Sequence, residues 1–182
     1  PRWLHPLQDR LGHTGTVICS NGAVVWDLEA DRLVSARGLQ LDAVFEARRI
    51  IQQLRPSALF AAETLNGFHL EPGFIENGSS ELLAEVTPAP LHTTLTKSDS
   101  VVKFLAIVRE GTADEFLAEV TPAVAHLAAA THSAPNMALL ELSLPGVNKA
   151  VTLAEYAASL GVASADVVAF GDMPNDIEML RW

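Results

Sequence analysis

An α/β fold is the expectation this sequence raises, and three stretches carry it. Toward the end, Val167-Val168-Ala169-Phe170 is an apolar, β-rich run that breaks at Gly171, after which Pro174 and two acidic residues open a helix signal through Leu180. Proline suits the first helical position and carboxylates suit the first turn, so the stretch reads as strand, turn, helix. Just before it, Asn148 is placed as an N-cap, with Val151, Leu153, Ala154, Ala157 and Leu160 on one apolar side and Gly161 as the stop. Such a helix rises ~18 Å and a strand from Asp166 to Phe170 returns ~17 Å, which sets Lys149 and Asp172 at one edge of a sheet. The third stretch is the middle of the chain, where strand patterns alternate with helices.

Taken in order, Arg2 to Leu11 carries weak helical patterning (Trp3, Leu4, Leu7, Leu11) closed by Gly12. Asn21-Gly22 lies between the β-rich runs Thr16–Ser20 and Ala23–Trp26, a type I′ hairpin signal. Leu41, Val44, Phe45, Ile50, Ile51 and Leu54 are helically spaced and Pro56 stops them. Short strands are expected over Ala58–Ala62 and Gly67–Leu70, then a loop marked by Pro72, Gly73, Asn77 and Gly78. Val101–Val108 is a strand, and Thr112 caps a helix over Ala113–Val124 with Asp114 and Glu115 in its first turn. Leu127–Ala130 and Met137–Leu144 are further strands. Residues 39–143 thus form an expected α+β domain of their own, between 1–38 and 144–182.

Composition narrows the function classes. With 182 residues and 49% hydrophobic content the chain can bury one large or two small cores. A net charge of -10 argues against a general binder of nucleic acid or membrane surfaces, which needs basic patches. Cys19 is the only cysteine, so no internal disulfide forms, and its apolar neighbours Val17 and Ile18 read as core. No apolar run reaches the ~20 residues of a membrane span and no signal-peptide pattern opens the chain, so the expected location is the cytoplasm. Pro1 at the start and Trp182 a turn or two into a helix suggest a piece of something longer. The six histidines show no metal-ligand spacing, and no GxGxxG or P-loop pattern is present.

The chemistry concentrates at the two sheet-edge turns. Asp172, Asn175 and Asp176 bring two carboxylates and an amide to one small volume, a hard oxygen set that suits magnesium better than zinc. An acidic helix cap would give the same spacing. Lys149 is a cation in a helix first turn, unfavourable by roughly 0.3–1 kcal/mol unless an anion stands before it; a solvated lysine is the alternative.

These segments resemble a known family. GDMPNDIEML matches the fourth signature motif, GDxxNDxxML, of the haloacid dehalogenase-like (HAD) hydrolases at six of ten positions, and is most similar to the Cof-type sugar-phosphate phosphatases. Val147-Asn148-Lys149-Ala150 resembles their third motif, gvxKg, with alanine in place of the frequent glycine, and ICSNGAVVWD resembles the strand and NGA turn where their chain leaves the core. The resemblance implies a HAD-like Rossmannoid core, here partial, with an inserted α+β cap over 39–143. It implies that Asp172 is a magnesium ligand, that Asp176 supports or joins its shell, and that Lys149 binds phosphate and steadies the nucleophile. Asn175 would hold the phosphate end, and Asn21 and Gly22 would lie by the catalytic crevice. Glu63, Asn66 and His69 are candidates for contact with a sugar.

What the family pattern requires is only partly present. Its first motif, DxDGT, supplies the attacking aspartate and the acid-base aspartate. These residues contain no DxD, nor the second motif, and Pro1-Arg2-Trp3-Leu4 resembles the segment immediately after that second motif. The reading is therefore the cap and C-terminal core of a magnesium-dependent phosphatase acting on a small phosphorylated metabolite through an aspartyl-phosphate, its nucleophile outside this chain. By itself the chain is expected to be inactive and to associate through its incomplete core sheet. A phosphomutase of similar fold and a non-catalytic binding module are the alternatives.

Overall fold

The computed structural model describes residues 15–75, 86–134 and 136–182. The helical pattern over Arg2–Leu11 and the Asn77-Gly78 part of the expected loop lie outside them.

The first sheet is small and antiparallel: β1 (Thr16–Cys19), β2 (Val24–Asp27) and β3 (Arg32–Ala36), in that order. The β1–β2 turn is the expected Asn-Gly hairpin. Asn21 and Gly22 have φ of 56° and 96°, and the Ala23 N–H donates to the Ser20 carbonyl at 3.1 Å, as a type I′ turn requires.

Helix α1 (Leu41–Leu54) comes next, then β4 (Leu59–Thr64), β5 (Phe68–Leu70), the one-turn α2 (Leu91–Thr94), β6 (Val101–Val108), α3 (Ala113–Val124), β7 (Ala129–Thr131) and β8 (Ala138–Ser143). The strands form one antiparallel sheet in the order β5-β4-β6-β8-β7. Alternation along the strands decides its two faces. Phe60 and Ala62, Phe104 and Ala106, and Leu140 and Leu142 turn to one side, where Val44, Ala47 and Ile51 of α1 and Phe116, Val120 and Val124 of α3 close a core. Phe60 and Phe104 stack there with centroids 5.6 Å apart. Thr112 caps α3 in a capping box, its Oγ1 accepting from the Glu115 N–H and the Glu115 carboxylate accepting from the Thr112 N–H. The other face is divided. Ala61, Leu70, Leu105 and Ile107 make an apolar patch at one end, while Glu63, Lys103 and Glu141 make a polar row at the other.

Helix α4 (Lys149–Ser159) packs on the small sheet, where the Thr152 hydroxyl donates to the Gly22 carbonyl at 2.8 Å and Tyr156 Oη bonds Thr16 Oγ1 at 2.8 Å. Ala23, Val24, Val102 and Val147 form a separate core that ties this sheet to β6. Gly38 marks a close crossing: a Cβ there would collide with Ser100 and Val101, just before Leu39 bridges Val101.

One expected element differs. Val167 has extended backbone, but Val167–Phe170 forms no strand and pairs with none among the described residues, and Val168 and Phe170 are 79% and 86% exposed. Its composition asks for a strand, but a strand exists only where a neighbour supplies hydrogen bonds. The segment leads to a 3-10 turn (Pro174–Asp176) and a short α5 (Ile177–Arg181). Among the described residues no helix is long and apolar enough to cross a membrane.

Candidate active site

The N-terminus of α4 and the turn after Gly171 meet, as the length arithmetic anticipated. Asn148 caps α4 through its Oδ1, which accepts from the Val151 N–H at 2.8 Å, and its Nδ2 donates to Glu178. Lys149 then sits in the first turn with its ammonium 2.6 Å from Asp176 Oδ1. The anion that a first-turn lysine calls for is thus found inside the chain. Asp176 itself is buried, and its other oxygen accepts from the backbone N–H groups of Asp172 (3.3 Å) and Met173 (3.2 Å). Gly171 permits this approach, since a Cβ there would collide with the Asp176 side chain.

Burial pushes the Asp176 carboxyl up, but the Lys149 hydrogen bond and charge and the Met173 and Asp172 N–H groups outweigh it and hold the group below the usual carboxylate range. The stability it contributes is therefore present above the unfolded value and is lost as pH falls through the lower folded one, below about pH 4. Urea melts at about pH 6 and about pH 3 should show a falling midpoint, and Asp176→Asn should flatten that fall. An equally steep fall in the variant would assign the acid sensitivity to other groups.

The hairpin tip completes the wall. Asn175 Nδ2 donates to Asn21 Oδ1 at 3.2 Å, and Asn21 Nδ2 donates to Glu141 Oε2 of β8 at 2.6 Å. Lys103 lies 3.3 Å from the same oxygen, and the Ser133 hydroxyl donates to Glu141 Oε1 at 2.7 Å. Burial raises the Glu141 carboxyl, but these partners, Lys103 foremost, hold it below the usual range. Beside it the Ser20 hydroxyl donates to Glu63 Oε2 at 3.2 Å. Glu63 is therefore a buried anchor for the hairpin. Asn66 bonds back through its N–H to Thr64 Oγ1 at 3.2 Å, within its own turn.

Gly22 is fixed by space as well as by φ: a Cβ would collide with the Asn148 carbonyl. Gly22→Ala should therefore destabilise by at least ~2 kcal/mol, through positive-φ strain and overpacking together. A thermal melt with an unmoved midpoint would mean the hairpin tip is loosely held.

Asn21, Lys149 and Asn175 line one cavity of about 420 Å³, together with Ala129, Thr131 and Ser143 of the larger sheet. Of the residues expected from the sequence, Asn21, Gly22, Lys149, Asn175 and Asp176 are thus brought together. Asp172 joins them through its backbone, while its carboxylate is exposed and has no partner among the described residues. Glu141 and Lys103 were not expected: strand alternation places them on the sheet face away from the helices, but nothing local says that the hairpin tip docks there.

The donor set bears on a metal. Among the described residues no three His, Cys, Asp or Glu side chains converge as a metal cage. Two hard oxygen-bearing groups are nevertheless uncommitted, the Asp172 carboxylate and the Asn175 carbonyl, whose Oδ1 is buried without a partner among the described residues. Both fit magnesium. Asp176, expected to support or join the shell, has both oxygens engaged by the protein and anchors Lys149 from behind.

The family profile described as haloacid dehalogenase-like hydrolase matches residues 1–182. The chain belongs to the haloacid dehalogenase-like hydrolases. Solved structures share its fold: SMU.1108c from Streptococcus mutans UA159 (TM-score 0.77, 20% identity, 97% of this chain and 67% of that one); a haloacid dehalogenase-like hydrolase from B. subtilis (0.76, 17%, 98% and 70%); and a HAD subclass IIB sugar phosphatase (0.74, 18%, 98% and 65%). This HAD-like chain spans about two thirds of the length of such structures, and 64% of another of them. No curated protein matches it significantly.

Proposed function

We propose that these residues form the larger part of a magnesium-dependent phosphatase of small phosphomonoesters, sugar phosphates in particular. The observation that carries the reading is the placement of one ammonium, Lys149, at a helix N-terminus on the wall of a cavity of about 420 Å³ that Asn21, Asn148 and Asn175 also line. Helix N-terminus and cation together favour an anion, and a phosphate is the anion the family hydrolyses. The volume suits a ligand of monosaccharide-phosphate size, and a fold neighbour is itself described as a sugar phosphatase. In this reading residues 1–38 and 144–182 belong to the core and 39–143 to the cap. The cavity, with walls from both, is the crevice between them.

Asp172 and the Asn175 carbonyl would hold magnesium, which when bound offsets charge on the phosphoryl oxygens. Lys149 orients the phosphate and stabilises the charge that develops on transfer, Asp176 holds Lys149 in line, and Gly22 lets the hairpin approach Asn148. The aspartate that takes the phosphoryl group, forming an aspartyl-phosphate, comes from outside these residues, which contain no DxD. A cytoplasmic setting is part of the proposal: the acidic chain carries one thiol, Cys19, which burial pushes up to about 11 and leaves unreactive.

The deciding experiment is release of inorganic phosphate from glucose 6-phosphate and p-nitrophenyl phosphate by a protein that joins these residues to a DxD segment. Retention of phosphate on an isomerised sugar would make it a mutase, and no reaction of either kind would leave a binding module. Calorimetry on the 182-residue chain should show magnesium binding in the millimolar range that Asp172→Asn abolishes; tight binding indifferent to that change would remove Asp172 from the metal site.

A further inference from the structure

Asn21 and Asn175 stand side by side on the cavity wall, and a carboxamide can offer a neighbour either its NH2 or its carbonyl. Glu141 decides which. It is 7% exposed, and its carboxylate receives the Ser133 hydroxyl on Oε1 and both Lys103 and Asn21 on Oε2. Three donors around an ionised carboxylate make it an acceptor only, so Asn21 turns its Nδ2 toward it. The Asn21 carbonyl then faces Asn175, which answers with its own Nδ2. Asn175 Oδ1 is left buried and without a partner among the described residues.

Turning both amides over would satisfy that orphan carbonyl, since Asn21 Nδ2 would then donate to it. The same move would set the Asn21 carbonyl against the buried Glu141 carboxylate, acceptor against acceptor. The turned Asn175 would also leave its NH2 buried in the carbonyl's place, so the move gains nothing for that residue and adds a repulsion at Glu141; the orphan carbonyl therefore persists.

We propose that Glu141 is a positioning residue for the cavity: through Asn21 it fixes the polarity of Asn175, so that the uncommitted polar atom of Asn175 is a hydrogen-bond acceptor. Glu141 belongs to the large sheet and Asn175 to the C-terminal segment, so Glu141, which does not itself line the cavity, sets the character of the wall across from the sheet. An acceptor there favours a cation or a proton-bearing group and disfavours an ionised phosphate oxygen, which leaves the anionic end to Lys149. This last consequence rests on the phosphatase reading; the polarity does not.

Side-chain amide NMR on the 182-residue chain tests the relay without turnover. Asn21→Gly keeps the turn, because glycine takes positive φ without strain, and removes the link. Solvent exchange of the Asn175 NH2 should then rise roughly tenfold, as expected when one net hydrogen bond is lost. Glu141→Ala, by freeing Asn21 to turn, should do the same. Glu141→Gln should restore the native signals, because its carbonyl can accept from Asn21 and Lys103 while its NH2 donates to the Ser133 oxygen. Backbone spectra report folding, and should Glu141→Ala unfold, the other two variants decide. Unchanged Asn175 exchange in a folded Asn21→Gly chain, or Glu141→Gln signals unlike the native ones, would overturn the relay. An intact relay in a DxD-joined protein that releases no phosphate would instead remove the phosphatase reading and leave the relay standing.

Discussion

Lys149→Ala, in a protein that joins these residues to a DxD segment, is expected to lower turnover by ~10²-fold or more, the usual loss when a donor that stabilises developing charge is removed. From the sequence, an exposed lysine at a helix start should contribute almost nothing to folding. The structure alters that second expectation. Lys149 is the partner of a buried carboxylate, so its loss leaves Asp176 with only two backbone N–H donors. Stability should fall too, and the two effects separate by experiment: Lys149→Ala combined with Asp176→Asn should regain thermal stability but not turnover. Undiminished phosphate release by the single variant would confine Lys149 to its ion pair.

The second large effect concerns the bare segment Val167–Phe170. Val168 and Phe170 present apolar side chains and unpaired backbone to solvent, an arrangement that recruits other strands. The 182-residue chain is expected to associate with rising concentration and to release no phosphate above background. Joining a DxD-bearing strand should bring monomeric behaviour and magnesium-dependent hydrolysis together, because one segment would supply both the pairing and the nucleophile. Sedimentation and phosphate-release assays on the two proteins decide it. A monomeric 182-residue chain at high concentration would show that the exposed segment does not drive association, and Val168→Lys with Phe170→Glu should abolish association if it does.

Much of this arrangement could be read from local chemistry. Helix α1 declared itself by periodicity and Pro56, α3 by Thr112 and Glu115, and the β1–β2 turn by Asn21-Gly22, because each signal acts over a few residues. Lys149 and the GDMPND turn could be placed near one another by counting rises along one helix and one return segment. Glu141 was beyond such reading. Its spacing in β8 says that it faces away from the helices, yet its partners Asn21 and Lys103 lie far from it in sequence. Val167–Phe170 failed for a related reason: a sequence can favour extended backbone, but the neighbour that makes it a strand is a fact about another segment.

The contacts of Asn21 also bear on when the site comes into being. Its bond to Glu141 spans 120 residues and its bond from Asn175 spans 154. Contacts this distant in sequence must wait for the intervening chain, whereas the hairpin and α1 need only their neighbours. During synthesis, which runs from the N-terminus, the Asn-Gly turn is made early and then waits, its amide unpaired, while the large sheet folds and brings up Glu141. Only when the segment beyond α4 emerges does Asn175 arrive to close the wall. The cavity therefore forms only after the large sheet, and a chain arrested after β8 would carry a finished sheet and a hairpin docked on it, but no Lys149 and no anion site.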